Sequence, residues 1–284
     1  MTTPVMSAAR AGLVRGRIEL RHTFTNGQDL WAYLFPAVVL TVVMYFMRDA
    51  TVPGMNLQLS SMTLPSVLGM NIAFGSLINL AQTLTTERED GTLLRAKATP
   101  NGMVGYLIGK ITQVSGMVLV SCVIVLVPGL FVTDSLRLSA SSVPMLLWVL
   151  VLGLIATMPI GAVIGSLISS PRSMGLVMLP MMGLIAVSGI FYPITSLPSW
   201  LQGVGQVFPI YWVGLGMRSA LLPDEMAAAE LTQSWRHLET AGVLGVWAVL
   251  GLVLAPIVLR RMARRESGSS VAARREKALQ RMPR

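Results

Sequence analysis

SMGLVMLPMMGLIAVSGIFYPITSLPSWLQGVGQVFPIYWVGLGM, residues 173 to 217, runs without a single charge, and the number of times it crosses a bilayer decides the architecture. A span needs about 20 predominantly apolar residues, so the stretch is long enough for two. Two crossings would give the chain seven spans and put its ends on opposite faces; one gives six and puts them together. The ends themselves choose. Residues 260 to 284 carry nine Lys or Arg against two Glu, and the N-terminal segment carries Arg10, Arg15, Arg17 and Arg21. Cytoplasmic segments hold the excess of basic residues, so both ends belong inside and six spans are expected.

Working outward, the other uncharged runs supply the remaining spans, which fall at about 30–47, 62–86, 111–132, 144–169, 173–191 and 240–259. This topology places 18 basic and 7 acidic residues on the cytoplasmic side, net +11, and 4 basic and 6 acidic outside, net −2. The formal charge of +9 is thus mainly a topology signal. Only 12% of the 284 residues are charged and 53% are hydrophobic, whereas soluble domains carry about 25% charged residues. Long uncharged runs separate the basic residues, which argues against nucleic acid as a partner. The single cysteine argues against a disulfide scaffold.

The chain therefore reads as an all-α polytopic membrane protein. Residues 1–29 form a leader, in which Leu13, Leu20 and Phe24 suggest a helix at the inner interface or, equally, a solvated basic segment. Residues 30–259 form the six-span domain and 260–284 a basic tail that can hold anionic lipid headgroups. The first apolar run ends at Met47-Arg48-Asp49 without a cleavage pattern, so it is expected to stay as a helix. Residues 192–239 lie outside. Their Pro193, Pro198 and Pro209, with Tyr192, Trp200, Phe208, Tyr211 and Trp212, suit an interfacial or re-entrant segment.

Catalytic motifs are missing. The two histidines, His22 and His237, are expected on opposite sides of the membrane, against a histidine metal site. Gly105-Tyr106-Leu107-Ile108-Gly109-Lys110-Ile111 approaches a phosphate-binding loop but has three residues between its glycines instead of four. It also lacks the Ser or Thr after Lys110. The expectation is a chain that is not an enzyme and holds no cofactor or metal. No assigned span has a central ionisable residue, which disfavours an ion-coupled secondary transporter.

The informative cytoplasmic segment is the loop 87–110, which opens Glu87-Arg88-Glu89-Asp90-Gly91-Thr92-Leu93-Leu94-Arg95-Ala96-Lys97-Ala98-Thr99-Pro100. A solvated connector is the plain reading of such a charge run. The pattern argues for more: Asp90-Gly91-Thr92 breaks the chain, and Thr92 to Ala98 can form a short helix exposing Leu93 and Leu94 beside Arg95 and Lys97, ended by Pro100. Such a helix is a docking surface.

Glu87, Glu89, Gly91, Thr92, Leu93 and Pro100 match the pattern Glu-x-Glu, Gly-Thr-Leu, Pro that follows the second span in one transporter family. Ser188-Gly189-Ile190-Phe191-Tyr192-Pro193, then Leu197-Pro198-x-Trp200-Leu201, Phe208-Pro209 and Arg218, match its order between spans five and six. The chain resembles the permease subunits of ABC transporters of the type-2 membrane family, above all bacterial drug and antibiotic exporters such as the daunorubicin-resistance-type permeases. The resemblance implies a connecting helix before span one, re-entrant helices between spans five and six, and a coupling helix within residues 87 to 100. It also implies two copies of a separately encoded ABC ATPase, which would carry ATP and magnesium, and a second permease half. The substrate would be an amphipathic drug-like or lipid-like molecule exported across the cytoplasmic membrane. Charge reversal at Glu87 and Glu89 is then expected to uncouple ATP hydrolysis from transport. A non-transporting membrane scaffold or assembly factor is the alternative of another class.

Two stripes are candidates for a substrate path. On span two, Asn71, Gly75, Asn79, Gln82 and Thr86 fall within about an 80° arc at 100° per residue. On span five, Met174, Met178, Met181, Ile185, Ser188 and Tyr192 share a face, and Met repacks readily around differing apolar ligands. Both stripes are equally open to a packing role, the first through interhelical hydrogen bonds. In similar exporters spans two and five line the central path.

Overall fold

A computed structural model describes residues 4–46, 59–132, 138–168, 173–190 and 192–265. The basic tail beyond 265, and Arg48, Arg137 and Arg172, lie outside these described residues. Among them the regular structure is helical throughout. In order, the helices are α1 (Pro4–Thr25), α2 (Gly27–Phe46), α3 (Leu59–Met70), a π-helical segment (Asn71–Gly75), α4 (Ser76–Glu89), α5 (Thr92–Lys97), α6 (Gly102–Val132), α7 (Ser142–Leu167), α8 (Met174–Val187), α9 (Ser199–Val207), α10 (Pro209–Leu221) and α11 (His237–Arg265).

Among the described residues four helices are long and apolar enough to cross a membrane: Met62–Glu89, Gly102–Val132, Ser142–Leu167 and His237–Arg264. The expected first span is the 20-residue α2, which exposes Trp31, Phe35, Val38 and Val42. The expected fifth span, 173–191, is a 14-residue helix ending before Gly189, whose φ is +67°. At 1.5 Å per residue it covers about 21 Å, less than the hydrocarbon thickness.

The helix contacts orient the bundle. Gly12 lies against Gly105, Gly16 against Gly109 and Thr112, and Leu20 against Gly116, so α1 runs parallel to the first half of α6. Backbones meet here: a Cβ on Gly12 would sit 2.3 Å from the Gly105 carbonyl oxygen, and one on Gly16 2.5 Å from that of Gly109. Small residues let helices approach this closely without an aqueous hydrophobic drive. The glycines that resembled a failed phosphate loop are therefore a helix crossing. Leu20 is turned onto α6, while Met6, Leu13, Val14 and Ile18 face outward. The face expected from Leu13, Leu20 and Phe24 is thus split, because the small side of α1 outranks its large apolar residues for contact. Gly16→Val should lower stability by about 1 to 3 kcal/mol, the usual cost of overpacking, read as a fall in melting temperature in detergent.

Gly161 and Gly165 let α7 meet the backbone of α4 at Leu77 and Ala81 in the same way. Arg88, at the end of α4, donates from Nη1 to the carbonyls of Ser166 (3.0 Å) and Ile168 (2.8 Å) at the end of α7. The end of α11 reaches α5. One end of the bundle thus gathers α1, the loop 90–101 and the C-terminal ends of α4, α7 and α11.

Near the opposite end, α9 leads through Phe208 into α10, which is buried among α3, α7 and α11, with Tyr211, Val213 and Leu215 fully enclosed. Its Arg218 is 3% exposed and pairs with Glu230, Nε to Oε1 at 2.5 Å and Nη2 to Oε2 at 3.3 Å. Arg218 Nη1 also donates to Ser66 Oγ and to the Gly189 carbonyl, both at 3.4 Å. Arg236 lies 4.8 Å from the Trp212 ring centre and donates to Gln206 Oε1 at 2.7 Å.

Candidate functional site

At the gathered end, α4 stops at Glu89 and the chain turns through Asp90 and Gly91. Gly91 has φ +80°, a left-handed conformation that glycine adopts without a Cβ penalty. The Thr92 amide donates to Asp90 Oδ1 at 2.8 Å, which starts the six-residue α5. The helix is half sunk. Leu93 is 1% exposed and Ala96 is buried, whereas Arg95, Lys97, Ala98, Thr99, Pro100 and Asn101 face out. The expectation that Leu93 would be exposed is corrected: it anchors α5 on the apolar core, and Leu94 is only half exposed. A two-turn helix holds its place only by burying some of its apolar residues.

The acidic and basic residues before the turn also face inward. Glu87 pairs with Lys110 of α6, whose side chain is 2% exposed. Lys110 Nζ also donates to Glu19 Oε2 of α1 at 2.5 Å and to Gln113 Oε1 at 3.0 Å. Arg15 Nε closes the set on Glu19 Oε1 at 2.7 Å. The Tyr106 ring lies 5.9 Å from Lys110 and 5.7 Å from Arg15, measured to its centre. Burial works to raise the Glu19 pKa, but the hydrogen bonds and charges of Lys110 and Arg15 outweigh it and hold the carboxyl below its ordinary value. One lysine thus ties α1, α4 and α6 together. Glu87 and Arg88 serve the bundle, Glu89 is half exposed, and Arg95 and Pro100 belong to the outer surface of the loop.

The cluster itself lines a polar groove of about 690 Å³ that runs between α1, α4 and α6. Asn79, Gln82 and Thr86 line it from α4, facing Thr23 and Gln113. Asn71 does not line the groove, although its side chain adjoins that of Asn79 across Gly75. Asn71 Nδ2 donates to Ser121 Oγ of α6 at 2.6 Å, an interhelical bond. A Cβ on Gly75 would lie 3.2 Å from Asn71 Oδ1 and 4.0 Å from Asn79 Nδ2, so Asn71, Gly75 and Asn79 stay on one side across the π-helical segment.

The α8 stripe lies elsewhere. Met174 is buried in a small cluster with Ala81 and Ile168, Met178 and Met181 are half buried, and Ile185 is buried. Ser188 Oγ donates to the Ile185 carbonyl at 2.6 Å and the Tyr192 hydroxyl to that of Ala186, so both hydroxyls close the end of α8. Ala81 lies on the side of α4 away from Asn79, Gln82 and Thr86, and within one chain the two stripes do not meet.

The family model described as ABC-2 family transporter protein matches residues 51–258. The chain belongs to the ABC-2 transporter family. Among curated proteins no match is found. As an ABC-2 permease the chain is a membrane component of an ABC transporter and a multi-pass membrane protein, and its family implies an ABC ATPase partner. The matched stretch contains Glu87, Lys110, α5 and the Arg218–Glu230 pair of this ABC-2 permease; Glu19 lies before it. Sequence reasoning missed Lys110, Glu19, Tyr106 and Gln113. A signal existed: a lysine at the entrance of one apolar run and a glutamate at the exit of the preceding one, on helices whose ends adjoin.

Proposed function

We propose that this ABC-2 permease is the transmembrane subunit of an ATP-driven exporter, moving amphipathic drug-like or lipid-like molecules out across the cytoplasmic membrane. In this reading it has six spans, with α2 and α8 as the first and fifth, and both termini in the cytoplasm. The segment α9–α10 is then re-entrant from the outer face. The transporter comprises two permease halves and two separately encoded ATPase subunits. Nucleotide and magnesium are held by those subunits, and this chain contributes no catalytic group. Multidrug efflux and antibiotic resistance would be the physiological consequence.

The observation that carries the reading is α5. It is hinged at Gly91, anchored by Leu93 and Ala96, and turns Arg95 and residues 97 to 101 outward beside the end of α11. A short helix held at its base and free on its outer face transmits a push from a docked subunit into α4. Asn79, Gln82 and Thr86 are accessible polar groups on the same helix, in a groove large enough for part of an amphipathic molecule.

The test is co-purification. Tagged permease expressed with the ABC ATPase encoded beside it should retain that ATPase in detergent through washes with ATP-free buffer. Recovery of the permease alone, with the ATPase folded and active in the lysate, would contradict the reading.

A further inference from the structure

Lys110 is a costly residue to enclose. An ammonium taken out of water costs several kcal/mol unless it is paired and hydrogen bonded, and apolar side chains of similar volume would generally stabilise a bundle as well or better. Here the charge is kept, 2% exposed, between carboxylates from two different helices. Gln113 completes its donors. The three helices it joins are unequal in rigidity. α1 and α6 already meet backbone to backbone through Gly12, Gly16, Gly105 and Gly109 and form a stiff pair. α4 is the helix that continues, through the Gly91 hinge, into α5. Glu87 lies four residues before that hinge. A force applied to the outer face of α5 passes to α4 through Gly91 and to α6 through the direct packing of α5 on it, and Lys110 is the side chain that bonds α4 to α1 as well. Arg88, bonded to the end of α7, carries the other branch.

We propose that Lys110 is a positioning residue that makes the α4–α5 segment, α1 and the first half of α6 move as one body when a partner pushes on α5. The inference rests on the ATPase-docking reading and adds to it the route by which docking reaches the N-terminal helix. Removing Glu19, Lys110 and Glu87 charges together leaves only Arg15 without its carboxylate, and its side chain is 38% exposed and reaches water, so the fold survives while the tie is lost.

The experiment uses the permease–ATPase complex in lipid nanodiscs, with Cys122→Ala and spin labels at R10C on α1 and A98C after α5, both at exposed positions. The interlabel distance is measured without nucleotide and after trapping with ATP and orthovanadate. In the otherwise wild-type chain the distance holds to within about 2 Å, the size of an ordinary interface helix shift. In E19Q/K110M/E87Q it changes by more than that on trapping, while the melting temperature and the bound ATPase are kept. E87Q alone leaves Lys110 its Glu19 partner, cuts only the charge tie to α4, and gives a shift of the same sign. K110R restores the wild-type behaviour. A distance that changes on trapping in the wild-type chain, or that holds in either E87Q or the triple variant, overturns the proposal. A wild-type permease that binds no ATPase overturns the docking reading and this inference with it.

Discussion

Glu230→Ala is expected to be the most destabilising single substitution in the chain, lowering stability by about 3 to 5 kcal/mol. Arg218 and Glu230 are both almost fully enclosed and share two hydrogen bonds. Deleting the carboxylate leaves a guanidinium with only two long contacts at 3.4 Å to Ser66 and Gly189. The cost arises from the stranded charge and not from the value of the pair itself, so the double variant R218M/E230L should recover most of it. Melting curves followed by tryptophan fluorescence in detergent separate these outcomes. Equal losses in the single and double variants would mean that the pair matters for its shape alone.

The second large effect is on partner binding. R95E/K97E reverses two exposed charges on α5 while leaving Leu93 and Ala96 anchored, so the permease should melt as the wild type does. Like charges set against each other at an interface cost several kcal/mol, and a loss of about 2 kcal/mol corresponds to roughly thirtyfold weaker ATPase binding. Quantitative pull-down at graded ATPase concentrations measures it. Undiminished binding would move the docking surface away from α5. The contrast with Glu87 is instructive: reversal there would set a lysine beside the buried Lys110 and disturb the bundle, so it no longer separates coupling from folding. Glu89, half exposed, is the cleaner of the two acidic positions.

Much of the helical frame was legible because a lipid solvent imposes one rule, about 20 apolar residues between charges. The helices at 59–89, 102–132, 142–167 and 237–265 sit where the uncharged runs put them, all but 142–167 longer than the span expected there. The short helix after Gly91 was legible too, from its turn residues. What failed to show was anything depending on contact between distant segments. Lys110 and Glu19 are 91 positions apart, and nothing local marks them as partners. Leu93 was placed outside because a six-residue helix gives too little periodicity to tell its buried side. The Gly105 and Gly109 spacing was visible, but only the position of α1 explains it.

The central claim is that ATP hydrolysed on a partner drives transport through this ABC-2 permease. The most direct measurement is accumulation of ethidium, and separately of a fluorescent phospholipid, in inside-out proteoliposomes containing the permease and its ATPase. Accumulation of at least one probe should require ATP and both proteins, stop when the ATPase subunit is inactivated, and fall sharply with R95E/K97E. Accumulation by the permease without the ATPase, or driven by a proton gradient with ATP absent, would contradict the account.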